Sequence, residues 1–402
     1  MARHLDAYLE GQLIGQFSDN NGQTVFEYNT GETPISMSMM PGTHWSNRAA
    51  SRFLDNLLPD NPDVRATMAR LLNARSTDVF DLLEVAGQDI AGGLVLVPPG
   101  GHPVEPELLR PATDDEIADR IATLKRTPSA WIDPVWKPRF ALAGTQGKFA
   151  LAKRSNTWYW PSTTIASTHI LKPGSPSYPG IETSEAAFLK LARMVDIEAP
   201  HADVLTLFDG AESSYVVDRF DRDRSVWPAT RIHVEDFAQA TGTAPKDKYH
   251  LTAAQAVWML ARADPSNELG YQFIARLAFN VAIANTDAHA KNYSVFIRPD
   301  GVSLAPMYDV VSPPLWGFDP ELAMSVGGVI NPGDVTPADW ENLARIAELD
   351  ASRVTDIAVA MSTSVTERFD EAFQDVPAAT RDQLRQIVAG ANSGMIARRR
   401  PK

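Results

Sequence analysis

The chain has 402 residues, 44% of them hydrophobic and 22% charged, with a formal net charge of −13. That length exceeds one small core and predicts two or three domains of ordinary globular composition. No cysteine is present for disulfides, thiolate zinc sites or cysteine nucleophiles, no apolar run reaches the roughly 18 residues a membrane span needs, and the acidic balance argues against a protein that coats nucleic acid by itself.

The opening MARHLDAYLEGQ lacks the basic-then-apolar layout of a signal peptide, so a cytoplasmic chain is expected. LDAYLEGQLIGQF and TVFEY alternate in the strand manner on either side of the turn-forming DNNG. Three helical patterns follow, RAASRFLDNLL, VRATMARLLNA and DVFDLLEVAG. GGLVLVPPGGHPVEPE reads as a buried strand running into a Pro/Gly linker, which closes a small α+β subdomain over residues 1–105.

After the helix DDEIADRIATLKRTP, the pieces FALAGTQGKFALAK, TWYW, THILKP, the helix ETSEAAFLKLARMV, ADVLTLF and SYVVDRF predict an α+β sheet lobe over residues 130–225. From residue 230 to 402 the patterns are nearly all helical: AAQAVWMLARA, YQFIARLAFNVAIAN, DWENLARIAELD, VTDIAVAMSTSVTERFDEAF and RDQLRQIVAGAN. The basic end IARRRPK reads as a solubilising tail rather than a nucleic-acid contact.

The stretch NTDAHAKN places Asp287, His289 and Asn292 directly after an apolar helix carrying Phe273, Ile274, Leu277, Val281 and Ala284 at helical spacing. Polar groups buried without partners cost a few kcal/mol each, so such a cluster persists when its members bind one another, a metal or a ligand. Asp309 in MYDVV follows Asp287 by 22 residues, and the runs YSVFI and VSLAPMY around RPDG predict a hairpin that brings Asp287, Asn292 and Asp309 together. Phosphoryl transfer uses that set: one aspartate takes the proton of the incoming hydroxyl, while an asparagine and a second aspartate hold magnesium on the ATP phosphates. The D-x-x-x-x-N spacing with a later aspartate is that of the protein-kinase catalytic loop. A helix cap and polar turn built on Asn285 or Asp287 is the structural alternative, and Asp309 at the hairpin end weighs against it.

FALAGTQGKFALAK predicts two strands around a glycine-rich turn, either a phosphate cover or a plain hairpin turn; it lacks the spacing of a Walker A loop. Lys172 ends an apolar strand with its ammonium expected out of the sheet, and Glu185 opens the next helix, as a partner for the lysine or as a helix-start carboxylate. SYVVDRFDRD reads equally as a hinge over an adenine, through Asp218, Arg219 and Phe220, or as an edge strand with a solvated charge run.

In LAGTQGK, STHILKP, VDRFDR, NTDAHAKNYSVFI and LAPMYDVVS the chain resembles the HipA family of bacterial toxin serine/threonine kinases, from its first strands to its last helices. The resemblance implies an α+β, two-lobed protein-kinase-like fold with an additional N-terminal subdomain and an all-helical C-terminal lobe. It implies ATP and Mg2+ as cofactors, with Asp287 catalytic, Asn292 and Asp309 on the magnesium, and Lys172 on the phosphates. His289 would lie beside the nucleotide, Asp218, Arg219 and Phe220 would form the hinge, and Ala143, Gly144, Thr145, Gln146, Gly147 and Lys148 would cover the phosphates. Also implied are an aminoacyl-tRNA synthetase substrate of glutamyl type, recognised with its tRNA, and a helix-turn-helix, HipB-like antitoxin through which operator DNA is bound indirectly. Family members phosphorylate themselves on a serine just before the glycine-rich turn, where this chain has Ala141; the nearest hydroxyl is Thr145.

Three alternatives remain open at this point: a small-molecule kinase of similar fold, a catalytically silent co-repressor acting through its antitoxin, and a metal hydrolase using His289, Asp287 and Asp309. The last lacks any paired-histidine spacing.

Overall fold

The computed structural model describes residues 3–29, 33–101, 109–133, 141–142, 144, 146–162 and 164–396. The early alternation gives strands β1 (Arg3–Leu9), β2 (Gln12–Asn20) and β3 (Gln23–Tyr28). Helices α1 (Ala49–Asn56), α2 (Pro62–Leu72) and α3 (Val79–Ala86) then precede β4 (Leu94–Val97), and the antiparallel sheet runs β3-β2-β1-β4. The alternating stretch LDAYLEGQLIGQF is divided by a tight turn at Glu10 and Gly11, with φ of 51° and 79°, the backbone twist that a two-residue hairpin favours. The helices begin where side chains satisfy their first amides: Asn61 accepts from Asp63 N–H with Pro62 in the first turn, and Asp78 accepts from Phe80 N–H.

Helix α4 (Asp114–Arg126) opens on a reciprocal cap between Thr113 and Glu116. The strands β5 (Phe149–Arg154), β6 (Thr157–Tyr159), β7 (His169–Pro173), β8 (Ala202–Leu207) and β9 (Glu212–Asp218) make a sheet of order β6-β5-β7-β9-β8, and α5 (Ile181–Met194) connects β7 to β8. Short strands β10 (Arg222–Asp223), β11 (Thr230–Arg231) and β12 (Val234–Asp236) lead to α6 (Phe237–Thr241), α7 (Ala253–Ala261) and α8 (Glu268–Ala282). The predicted hairpin is β13 (Ser294–Arg298) and β14 (Gly301–Leu304). Four helices complete the described chain: α9 (Pro337–Ala347), α10 (Ala351–Ala372), α11 (Ala378–Ala391) and α12 (Ser393–Ile396). The fold class is α+β, as expected, with sheets early and helices late. Among the described residues no helix is long and apolar enough to cross a membrane.

The structure corrects two readings. FALAGTQGKFALAK is not a hairpin within the described residues, because Ala141 and Leu142 are not in a strand and β5 pairs with β6 and β7 instead. Phe149 to Ala152 are all buried, so β5 needs a strand on each side, while the Ala141 amide is already engaged by the Asp89 carbonyl at 3.3 Å. Nor is SYVVDRFDRD an edge strand with a solvated charge run: β9 lies between β7 and β8, and Asp221 and Arg222 are buried.

The chain divides into two compact units, Met1–Pro176 with Asp203–Lys246 and Phe296–Asp300, and Ser177–Ala202 with Asp247–Val295 and Gly301–Lys402. In the first, one apolar core runs from Leu5, Phe17 and Phe53 through Leu83 and Ile121 to Leu171 and Leu207. In the second, α8 buries Phe273, Ile274, Leu277 and Val281 and packs against α7 and α10. That apolar face gives the loop after α8 a rigid base.

Candidate active site

α8 ends because Ala284 turns left-handed, with φ of 54°. Asn285 then serves both helix and loop: its side-chain amide donates to Asn280 Oδ1 at 2.9 Å, and its Oδ1 accepts from the Asp287 backbone at 3.3 Å. Asn280, within the otherwise apolar face of α8, donates onward to the Tyr293 hydroxyl at 2.8 Å. Burial pushes the Tyr293 phenol well above its usual range, so it stays neutral in this chain of bonds. The capping alternative is therefore right for Asn285, whose side chain satisfies the Asp287 backbone.

That carboxylate accepts a 2.6 Å hydrogen bond at Oδ1 from the hydroxyl of Tyr249, 38 positions earlier. Tyr249 also sets its ring edge-on to His289, with centroids 5.0 Å apart. The loop backbone is held at both ends: His289 N–H donates to Asp287 O at 2.7 Å, Asn292 N–H to His289 O at 2.9 Å, and Ala290 N–H to Lys248 O at 3.1 Å.

The chain returns through β14 to the same place. Ala305 N–H donates to Ser294 O at 2.9 Å, and the Tyr308 hydroxyl, 2.7 Å from Ser294 Oγ, donates to Lys291 O at 2.8 Å. This closure brings Asn292 Nδ2 to 3.1 Å from Asp309 Oδ2. Asp309 has φ of 57°, a left-handed conformation that aspartate tolerates better than most residues. Asn292 Oδ1 is buried with no hydrogen-bond partner, an orphaned acceptor beside a carboxylate. Two neighbouring oxygen donors of this kind suit magnesium, which takes a few protein oxygens and completes its shell with phosphate and water. Among the described residues no group of three or more His, Asp or Glu side chains is placed to hold a metal, so the hydrolase alternative has no ligand set there.

In the first unit Lys172 is buried in β7 opposite Tyr215, with its ammonium 5.5 Å from that ring. Glu185 is buried in the second turn of α5 rather than opening it; Glu182 holds the first-turn position. Of the expected phosphate cover, Ala143 and Thr145 lie outside the described residues, as do residues 397–402 of the basic tail. Gly144 has φ of 107°, and a Cβ there would fall 2.6 Å from Lys148 Nζ, so the lysine ammonium occupies the space a side chain would fill. Lys148 also lies 5.0 Å from the Trp131 ring, while Gly147 is buried and Gln146 half-buried.

The expected hinge is tied into a buried ion cluster. Arg219 N–H donates to Thr168 O at 2.8 Å, and its guanidinium grips Asp221 at 3.0 and 2.7 Å and reaches Ser167 Oγ and Ile90 O, each at 2.9 Å. Arg222 donates to Asp89 at 2.8 Å and lies 2.9 Å from Asp221. Burial alone would raise both aspartates, but Arg219 and Arg222 outweigh it and hold Asp89 and Asp221 below the usual carboxylate range. Burial, with Arg219 alongside, lowers Arg222 to about 10 against the pull of the two aspartates. Asp218 is engaged by His169 Nε2 at 3.0 Å and by both Nη atoms of Arg224, while Phe220 sits 6.1 Å from the Phe296 ring.

Two family models match the chain, the HipA N-terminal domain over residues 5–97 and the HipA-like C-terminal domain over residues 140–379. The chain belongs to the HipA family. It is 30% identical over 365 residues to the putative kinase Y4mE of Sinorhizobium fredii, covering 86% of each chain. It is 28% identical over 395 residues to the serine/threonine-protein kinase toxin HipA of Shewanella oneidensis, covering 90% of this chain and 88% of that one. HipA of Shewanella oneidensis MR-1, solved with HipB and its operator DNA, superposes with a TM-score of 0.81 over 96% of each chain at 24% identity. The α+β fold is accordingly the kinase-like fold of HipA, as the motifs implied.

Sequence reasoning missed three residues of this HipA-family site. Asn280 had a signal, being a polar residue on an apolar helix face. Tyr308 sits beside a residue already singled out, in MYDVV. Tyr249 had none, because its position over Asp287 comes from how the segment before α7 packs.

Proposed function

We propose that this HipA-family chain is the toxin component of a toxin–antitoxin pair and acts as a Mg-ATP-dependent serine/threonine protein kinase. One observation carries the reading: Asn292, with its orphaned amide oxygen, lies 3.1 Å from Asp309 and follows Asp287 in the same hydrogen-bonded loop. A base and two oxygen donors on one rigid support are what phosphoryl transfer needs, since its catalysis is mostly positioning and charge neutralisation.

In this reading Asp287 takes the proton of a seryl or threonyl hydroxyl as its oxygen bonds to the γ-phosphorus. The bond from that phosphorus to the bridging oxygen breaks, and ADP leaves with the electron pair. Asn292 and Asp309 would hold magnesium, which supplies neutralisation of the phosphate charge. Lys172 holds the phosphates and the turn from Ala143 to Lys148 covers them. His289 lies beside the nucleotide, and the hinge runs through Asp218, Arg219 and Phe220.

Relatives named as a serine/threonine-protein kinase toxin and as a putative kinase support the activity. The Shewanella HipA solved with HipB and operator DNA supports a helix-turn-helix antitoxin partner, with DNA contacted through that partner. A net charge of −13 suits this division of labour. The substrate we propose is an aminoacyl-tRNA synthetase of glutamyl type, whose phosphorylation in the cytoplasm would inhibit translation and favour persistence.

The test is transfer of labelled γ-phosphate from Mg-ATP by the wild-type chain and by Asp287→Ala, with a cell lysate and with purified glutamyl-tRNA synthetase plus its tRNA. Label on the synthetase that disappears in the variant supports the full reading. Label on another protein keeps the kinase and replaces the substrate. No label on any protein, with ATP still bound, favours a small-molecule kinase or a silent co-repressor.

A further inference from the structure

Asp287 Oδ1 is already engaged. The Tyr249 phenol donates to it at 2.6 Å, the short length typical of a hydroxyl on a carboxylate. An acceptor hydroxyl must make the same bond to the same group before transfer. We propose that Tyr249 is a gate on the acceptor position: its phenol holds the place of the incoming hydroxyl, and only an acceptor able to displace it is phosphorylated. This inference rests on the kinase reading of Asp287.

The surroundings fit a group that moves. Tyr249 is 49% exposed, in the short segment between Asp247 and the start of α7, so swinging its ring away uncovers little apolar surface. Its ring meets the edge of His289 at 5.0 Å, and the Lys248 ammonium lies 5.4 Å from its centroid. The backbone beside it is fixed, because Lys248 O accepts from Ala290 N–H at 3.1 Å. A half-exposed side chain on a backbone tied to the catalytic loop returns to the same oxygen whenever the acceptor leaves.

The gate gives specificity by competition. Water is small, abundant and weakly bound, so it displaces the phenol poorly, and ATP is protected from hydrolysis between encounters with substrate. A protein acceptor brings binding energy from its other contacts and displaces the phenol at that cost.

The experiment compares the full-length wild-type chain, Tyr249→Phe and Asp287→Ala in Mg-ATP, measuring inorganic phosphate release with water as the acceptor and incorporation into casein as a generic seryl acceptor. Tyr249→Phe keeps the ring against His289 and removes only the hydroxyl. A hydrogen bond to an ionised group is worth about tenfold or more in such a competition, so phosphate release should rise about tenfold and the KM for casein should fall, with the KM for ATP unchanged. Turnover at the wild-type rate in Tyr249→Phe, with Asp287→Ala inactive, overturns the gate and leaves the kinase reading standing. Loss of turnover in Tyr249→Phe makes the phenol a positioning group for Asp287 and also overturns the gate. Turnover no higher than that of Asp287→Ala in both the wild type and Tyr249→Phe overturns both readings. Should Tyr249→Phe fail to fold, Tyr249→Leu is held to the same expectation.

Discussion

Arg222, in the short strand β10, donates a 2.8 Å hydrogen bond to the carboxylate of Asp89, 133 positions earlier in the chain. Both residues are buried, and Asp221 and Arg219 close the cluster around them. Removing one member of a buried ion group leaves an uncompensated charge in low dielectric, at a cost of about 3–5 kcal/mol. Asp221→Ala and Asp89→Ala should each lower the unfolding free energy measured in urea by that amount, whereas Arg353→Ala, which breaks an exposed pair with Glu268, should change it little.

The same cluster sets an acid limit. Asp89 and Asp221 are held below the usual carboxylate range, so the stability they lend is complete above their unfolded value of about 4 and is lost as pH falls through their lower folded values. Acid unfolding of the wild type, followed by circular dichroism, should move to higher pH in Asp221→Asn.

Glu235 behaves oppositely. It is buried with Oε1 accepting from Met37 N–H at 2.7 Å and Oε2 unpartnered, and burial, aided by Asp236, pushes it up to about 8 despite the bonds from Met37 and Ser36. Its folded value is raised, so its contribution is full below the unfolded value of about 4 and is lost as pH rises toward 8. His233, lowered to about 4 by burial, works the other way between about 4 and 6.5, where the unfolded chain binds more protons. The Glu235 effect should therefore show between pH 6.5 and 8: the wild-type melting temperature should fall across that window and that of Glu235→Gln should not.

In the proposed kinase reading, Asp309→Ala should lower phosphate transfer on the order of 10²–10³-fold and weaken Mg-ATP binding, because one of the two oxygen donors proposed for magnesium is lost while Asp287 is untouched. Steady-state transfer and calorimetric titration of Mg-ATP separate this from Asp287→Ala, which should bind Mg-ATP normally and fail in transfer.

Asn392 donates to the Ala282 carbonyl at 2.8 Å, at the end of α8, and accepts from the Ser362 hydroxyl at 2.6 Å. Asn392→Leu leaves both buried groups without partners and should cost about 2–3 kcal/mol in chemical denaturation.

Much of the candidate site's geometry could be read from the chain because it is local. Asp287 and Asn292 share one loop, and a short hairpin brings Asp309 to Asn292, so spacing and turn residues were enough. The errors arose where partners are distant. VDRFDR looks solvated until Asp89 supplies the charge that lets its arginine and aspartate be buried. β5 was given the wrong partner: it forms a hairpin with β6, which follows it, and pairs on its other edge with the more distant β7 instead of a strand before the glycine-rich turn. Tyr249 carries no pattern at all, since nothing within its own segment requires a phenol.

The first compact unit is assembled from three stretches of chain, the last of them Phe296–Asp300. During synthesis Asp89 emerges from the ribosome long before Arg219 and Arg222, and the unit that contains them has no complete set of residues until position 300 has been made. By then α8 and the loop bearing Asp287 have already been translated. The buried ion cluster therefore closes only once the chain has grown past Arg222, so its charges stay in water through the synthesis of everything between them.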